Sequence, residues 1–200
     1  MSDAKQYMIR ITDGSERPQS YGGFRWNPVG EWTEAPDWNP DPSCGGGLHG
    51  QHPEAGGYCP GGNTVPELLE IEGPVVKIGN NKVKVRRAKR IAVGNLNVPE
   101  MPRHWKTLKL YGCTGLLELP AGLTADWLDL SYCTGLRELL KGLKIDWFDL
   151  DYCTGLSYLP SDLMSGWLEV RGCTGLRELA KTMKVRFLTG WDFDRQRALA

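Results

Sequence analysis

The tetrapeptide Cys-Thr-Gly-Leu occurs four times, at Cys113, Cys133, Cys153 and Cys173, with a strict period of twenty residues. A unit this short cannot bury its own apolar face, so successive units must stack and share one interior, which is the architecture of a solenoid. The units align without gaps. Leu108, Leu128, Phe148 and Leu168 lie five residues before each Cys, and Leu110, Leu130, Leu150 and Val170 lie three before. Leu116, Leu136, Leu156 and Leu176 follow, then Leu119, Leu139, Leu159 and Leu179, then Leu123, Leu143, Leu163 and Met183.

Alternation along a strand assigns the remaining positions. With Leu128 and Leu130 turned inward, Trp127, Asp129 and Ser131 turn outward. Stepping by twenty gives three outward columns: Trp127, Trp147, Trp167 and Phe187; Asp129, Asp149 and Glu169; Ser131, Asp151 and Arg171. Carboxylates repeated about every 4.8 Å repel one another, so water, salt or a basic ligand must compensate them. The neighbouring aromatic column offers apolar area and ring faces that attract Arg or Lys. These columns therefore predict a partner-binding strip of Trp127, Trp147, Trp167, Asp129, Asp149, Asp151 and Glu169 that selects a protein with a basic surface and disfavours nucleic acid. The alternative is that the Trp column packs on the solenoid edge and the acids are solvated; Lys109 and Arg171 partly neutralise the two ends.

The pattern Leu-x-Leu-x-x-Cys-x-x-Leu-x-x-Leu, with Pro120 and Pro160 after the last Leu, resembles the short bacterial leucine-rich repeat over residues 104–193. That resemblance implies a right-handed solenoid with a parallel concave sheet, convex extended or short helical turns, Cys side chains bonding backbone between coils, and binding by the concave face. It leaves the partner unnamed.

Ahead of the repeats the chain reads as a small domain, so the expected fold class is α+β or mostly β. Residues 1–98 form a β-rich domain capping the solenoid of residues 99–200, and the tail from Trp191, Asp192 and Phe193 caps the far end. Residues 6–12 read as a strand closed by Asp13-Gly14. Residues 66–72, 75–78 and 82–86 read as three more, with a hairpin turn at Gly79-Asn80-Asn81. In the last strand Lys82-Val83-Lys84-Val85-Arg86 alternates, predicting one wet face and one buried face. Between them, residues 21–63 are rich in Gly and Pro yet keep Tyr21, Phe24, Trp26, Trp32, Trp38 and Tyr58, which predicts a structured loop region.

That region carries the candidate chemistry. Cys44, His49, His52 and Cys59 could hold a tetrahedral zinc, which would staple a Gly/Pro-rich segment; the spacing C-x4-H-x2-H-x6-C matches no standard finger. Otherwise the two Cys are small buried hydrophobes and His49 packs within the loop. Gly45-Gly46-Gly47 could bring backbone N–H groups close to an anion, without any nucleotide-binding fingerprint around it.

Gly23-Phe24, Gly30-Glu31, the Cys-x-x-Gly-Leu-His run from Cys44 to His49 and the basic final strand together resemble a small uncharacterised domain of bacterial and phage proteins, over about residues 20–93. Gly47-Leu48-His49 is also similar to the first motif of ADP-ribosyltransferases, in which a His holds the ribose of NAD. The matching residue is His49 alone; no later Glu stands in a matching context. The resemblance implies a small-ligand or nucleotide site centred on His49 with Trp26 and Trp38 nearby, as the alternative to a non-enzymatic recognition module.

Lys82, Lys84, Arg86, Arg87, Lys89 and Arg90 make a basic run without an acid. It reads as a charge-protected edge, or as a surface that pairs with the acidic strip within one chain or in self-association. No catalytic triad can be assembled, since His49, His52 and His104 lack a nucleophile partner. The formal net charge is zero, which gives no electrostatic reason to expect nucleic acid or membrane. No apolar run reaches the ~18 residues of a span, and residues 1–14 lack a signal-peptide core, so a cytoplasmic location is expected. Four of the six Cys share one repeat position, which predicts a ladder of buried thiols suited to a reducing compartment.

Overall fold

The computed structural model describes residues 5–16, 18, 24–55, 57, 64–79 and 82–191. Cys59, Tyr21, Tyr58, Gly23, the Asn80-Asn81 turn and the tail from Asp192 onward lie outside the described residues. The described residues form twelve strands and no helix: β1 (Gln6–Thr12), β2 (Trp32–Glu34), β3 (Leu48–Gly50), β4 (Val65–Glu72), β5 (Val76–Ile78), β6 (Lys82–Val85), β7 (Arg87–Val93), β8 (His104–Lys109), β9 (Thr124–Asp129), β10 (Lys144–Asp149), β11 (Met164–Glu169) and β12 (Lys184–Thr189). The α component of the expected fold class is therefore corrected to an all-strand fold. A twenty-residue coil that spends six residues on a strand must turn and return in the rest, and Pro120 and Pro160 remove helical donors from that return.

Strands β8 to β12 build a five-stranded parallel sheet in sequence order. Its register steps by one coil, so that Trp127, Trp147, Trp167 and Phe187 pair in line, as do Asp129, Asp149 and Glu169. Each strand begins upstream of the Leu-x-Leu core that the sequence marks. Asp126 and Trp127 are consecutive exposed residues between buried Ala125 and Leu128, and this pair breaks the period-two alternation that would have revealed the first half of the strand.

The Cys-Thr-Gly-Leu unit is structural at each position. Cys133, Cys153 and Cys173 donate their thiols to the carbonyls of Leu110, Leu130 and Leu150 in the preceding coil, at 3.0, 3.0 and 2.9 Å. Cys113, Cys133, Cys153 and Cys173 are all buried thiols, and burial pushes Cys173 up to about 11. A Cβ on Gly155 would collide with the Thr134 carbonyl of the coil below, so glycine there is what lets the coils approach.

Two antiparallel sheets precede the solenoid, in the orders β1-β4-β7-β2 and β3-β6-β5. The first is buried on both sides. Ile9, Ile11 and Leu68 join the solenoid interior in one continuous core, while Met8, Leu69 and Ile71 pack with Trp26, Leu48, Val83 and Val85 in a second. Buried Gln51 seals the open edge of the parallel sheet. Its amide donates to Lys109 O at 2.6 Å and accepts from Lys109 N at 2.9 Å, replacing the coil that β8 lacks, while Lys106 N bonds Pro53 O. An uncovered strand edge is a template for association, and the N-terminal segment removes it. At the other end Trp191 packs against the core.

The basic segment departs from its expected alternation. Lys84 is fully buried, and its ammonium donates to the carbonyls of Ser43 and Gly45 at 3.1 and 2.8 Å. Arg90 is also buried and forms a two-pronged pair with buried Glu67, at 3.1 and 2.6 Å, while donating to the Ser15, Glu16 and Asn27 carbonyls. Arg87 pairs with Glu34 and Glu72, and Lys89 with Glu70.

Candidate functional site

The outward face of the parallel sheet gathers the residues that the repeat columns single out. Trp127, Trp147, Trp167 and Phe187 stack in one ladder, with centroid separations of 5.2, 5.1 and 5.3 Å and interplanar angles of 15°, 6° and 36°. Trp127 is 41% and Phe187 48% exposed. The in-register strands force this stacking, because identical positions recur at the strand spacing. Stacking also revises the role of the rings. Inside the ladder each indole face is covered by its neighbour, and the outer faces meet the chain's own cations, Lys109 over Trp127 at 5.6 Å and Arg186 over Phe187 at 5.2 Å. The ladder thus presents ring edges and an apolar ribbon.

Acids flank that ribbon. On one side Asp126 and Asp146 are exposed; on the other run Asp129, Asp149 and Glu169. Asp149, Asp151 and Glu169 bring carboxylate oxygens within 4.8 Å of one another. Several of these groups also serve the backbone. Asp129 Oδ1 accepts from Ser131 N at 3.0 Å, Asp149 Oδ1 from Asp151 N at 2.8 Å and Asp151 Oδ1 from Arg171 N at 2.7 Å. The first two bonds are local, closing the strand ends in a use of Asp that requires no ligand, and the third joins successive coils. Glu169 accepts from Trp167 Nε1 at 3.0 Å. Arg171 stands 4.0 Å from Asp151. Burial first, then the charges of Asp129, Asp151 and Glu169, pushes the Asp149 carboxyl up to about 6, against a bond from Asp151 N–H that works the other way. Ser131, expected to face outward, is 4% exposed; its hydroxyl turns onto Asp129.

Beyond the acids lies a second aromatic row that the columns did not reveal. Tyr111 meets Tyr132 edge-on at 5.4 Å, and Tyr132 stacks on Tyr152 at 4.7 Å and 16°. Tyr132 and Tyr152 have positive φ, 61° and 59°, at the position held by Gly112 and Gly172, each with φ 69°. In each coil the residue three further back accepts a bond from the Cys N–H, as Leu130 does from Cys133. This is a tight turn whose third residue needs left-handed backbone and prefers glycine. Left-handed backbone in a residue with a Cβ costs roughly 1–2 kcal/mol. The signal for this row is the series Gly112, Tyr132, Tyr152, Gly172 just before each Cys, where Tyr twice stands at a glycine position.

The N-terminal candidates are dispersed. Trp26 is in the second core, 1% exposed, with the Arg10 guanidinium 3.9 Å over its ring. Trp38 packs at the rim of that core, and a Cβ on Gly47 would press on both Trp38 and Lys84. The three glycines thus give room to the buried Lys84 stem and its carbonyl partners. His49 is half-buried in β3 and pairs with Lys84 in β6. Burial and then the Lys82 and Lys84 charges lower its pKa. Cys44 is exposed and its sulfur lies 3.0 Å from Lys82 Nζ, which lowers the thiol pKa. His52 Nδ1 accepts from Glu54 N at 3.3 Å. Among the described residues, the only His/Cys/Asp/Glu group close enough to share a metal is Asp149, Asp151 and Glu169, so Cys44, His49 and His52 are not brought together as a ligand set.

The basic run Lys82 to Arg90 is largely consumed inside the N-terminal sheets, by carbonyls and by Glu34, Glu67, Glu70 and Glu72, leaving Arg86 as its exposed member. No family model, curated protein or solved structure matches this chain.

Proposed function

We propose that the chain is a non-enzymatic recognition module, and that its repeats, read as leucine-rich repeats of the short bacterial type, bind a protein partner with a basic surface on the outward face of the parallel sheet. The observation that carries this reading is the Trp127–Trp147–Trp167–Phe187 ladder on the outward face, exposed at both ends and half-buried in the middle, with acids on both sides. A solenoid has no need of four stacked rings outside its core, and a row of aromatics rimmed by charge is the composition of a binding patch. The end strands β8 and β12 carry Lys106, Lys109 and Arg186, while β9 to β11 carry Asp126, Asp129, Asp146, Asp149 and Glu169, with Arg171 after β11 beside Asp151, which centres the complementary surface on β9 and β10. The experiment is affinity capture from the native cell with immobilised wild type and with Trp147→Ala/Asp149→Ala, whose folding is checked by circular dichroism. Wild type should retain a partner that the variant loses, and the complex should weaken as salt rises. Equal capture by both proteins removes the proposal. Among the described residues no helix is long and apolar enough to cross a membrane; a cytoplasmic location remains part of this proposal, supported by the buried thiol ladder.

A further inference from the structure

Two aromatic rows border the acids of the repeat sheet, and they run in the same direction, along the solenoid axis. The Trp row keeps a step of 5.1–5.3 Å. The Tyr row steps by 5.4 and 4.7 Å. Trp127 and Tyr132 are five residues apart, with the strand ending at Asp129 and Tyr132 in the turn, so the two rows stand at most about 17 Å apart at their backbones. Tyr132 and Tyr152 are 43% and 38% exposed, and they hold a backbone conformation that Gly112 and Gly172 adopt without strain in the flanking coils. The fold therefore does not require tyrosine there. Strained residues that the scaffold does not need concentrate where a surface is used.

We propose that Tyr111, Tyr132 and Tyr152 form the second border of the binding surface, and that its occupant is a basic amphipathic helix of the partner, laid along the solenoid axis across the strands. This inference rests on the reading of the sheet face as a site for a basic partner. The helix is chosen by dimensions. One α-helical turn rises ~5.4 Å, close to the ring steps of both rows, whereas same-side residues of an extended peptide recur at ~6.6 Å and fall out of step. A helix is ~10–12 Å across, which lies within that limit. Lys or Arg at positions i, i+4 and i+7 then meet Asp129, Asp149 and Glu169 in turn, and the flanks of the helix rest on ring edges. The ladder from Trp127 to Phe187 covers about three turns, or about eleven residues.

The test uses the full chain and two alanine-based helical peptides of identical composition, one with lysines along a single face at that spacing, the other with them spread around the helix. Fluorescence anisotropy should show the one-faced peptide binding about tenfold tighter. Tyr132→Gly/Tyr152→Gly should weaken it about tenfold, the loss of two rings' apolar contact with the flank of the helix, while the thermal midpoint stays level or rises because the strain is gone. Equal affinity for the two peptides, or unchanged affinity in the double glycine variant while Trp147→Ala/Asp149→Ala loses binding, overturns the helix and the Tyr border and leaves the basic-partner reading standing. Absence of binding by either peptide to wild type, with a captured partner whose affinity ignores salt, removes both.

Discussion

Asp149→Asn tests the charge column at its centre. Asp149 is in register with Asp129 and Glu169 and close to Asp151, and its carboxyl rises from the ordinary 3.8 to about 6 through burial and then these neighbours. At about 1.4 kcal/mol per pH unit the rise amounts to about 3 kcal/mol. The side chain is partly exposed, so solvent screening reduces the expected effect to about 1 kcal/mol. The sign follows from proton binding: the folded protein holds this proton more tightly than the unfolded chain does. The penalty is therefore full above about pH 6 and is relieved as pH falls from about 6 toward 4. Asparagine removes the charge and keeps an oxygen to accept from Asp151 N. Urea unfolding followed by tryptophan fluorescence should show the variant about 1 kcal/mol more stable at about pH 8, with an unchanged m-value, and no different from wild type at about pH 4. A variant less stable than wild type at pH 8, or a gain that persists undiminished at pH 4, refutes the argument that the column is electrostatically strained.

Three further outcomes follow from the packing. Gln51→Ala should destabilise the protein by about 2–4 kcal/mol in denaturant unfolding, since it strands the Lys109 N–H and C=O at the sheet edge; a loss below about 0.5 kcal/mol would mean that this edge is sealed by something else. Arg90→Leu should cost about 3–5 kcal/mol because it leaves Glu67 buried without its main partner, and Glu67→Gln in the same chain should recover part of that in a double-mutant cycle. Iodoacetamide at about pH 7.5, mapped by peptide mass spectrometry, should label Cys44 in the native protein and reach Cys113, Cys133, Cys153 and Cys173 only after unfolding; early labelling of any of these four would contradict the closed core.

The repeat half was legible because one physical rule, burial at a fixed period, writes itself into Leu108, Leu110, Cys113, Leu116 and their copies. Strand register followed, and with it the alignment of Trp127, Trp147 and Trp167. The strand starts did not follow, since the two consecutive exposed residues Asp126 and Trp127 break alternation. Nor did the Tyr row, where Tyr132 and Tyr152 occupy a turn position whose usual marker is glycine. In the N-terminal half, Gln6–Thr12 and Val65–Glu72 could be read from β-rich composition. The basic segment could not: alternation in Lys82–Val85 says wet and dry faces, yet Lys84 is buried.

Sequence by itself determined that the coils stack, which side chains fill them and which columns line up across the sheet, because these depend only on local period and apolar burial. Tertiary structure decided what the columns do. It closed the Trp faces against one another, turned the Asp oxygens onto backbone N–H groups, set Gln51 over the β8 edge and folded carbonyls and Glu67 around Lys84 and Arg90. Gln51, Lys84, Arg90 and Glu67 find partners tens of residues away in the chain, and pairwise electrostatics and hydrogen bonding at that separation leave no periodic trace in the order of the amino acids.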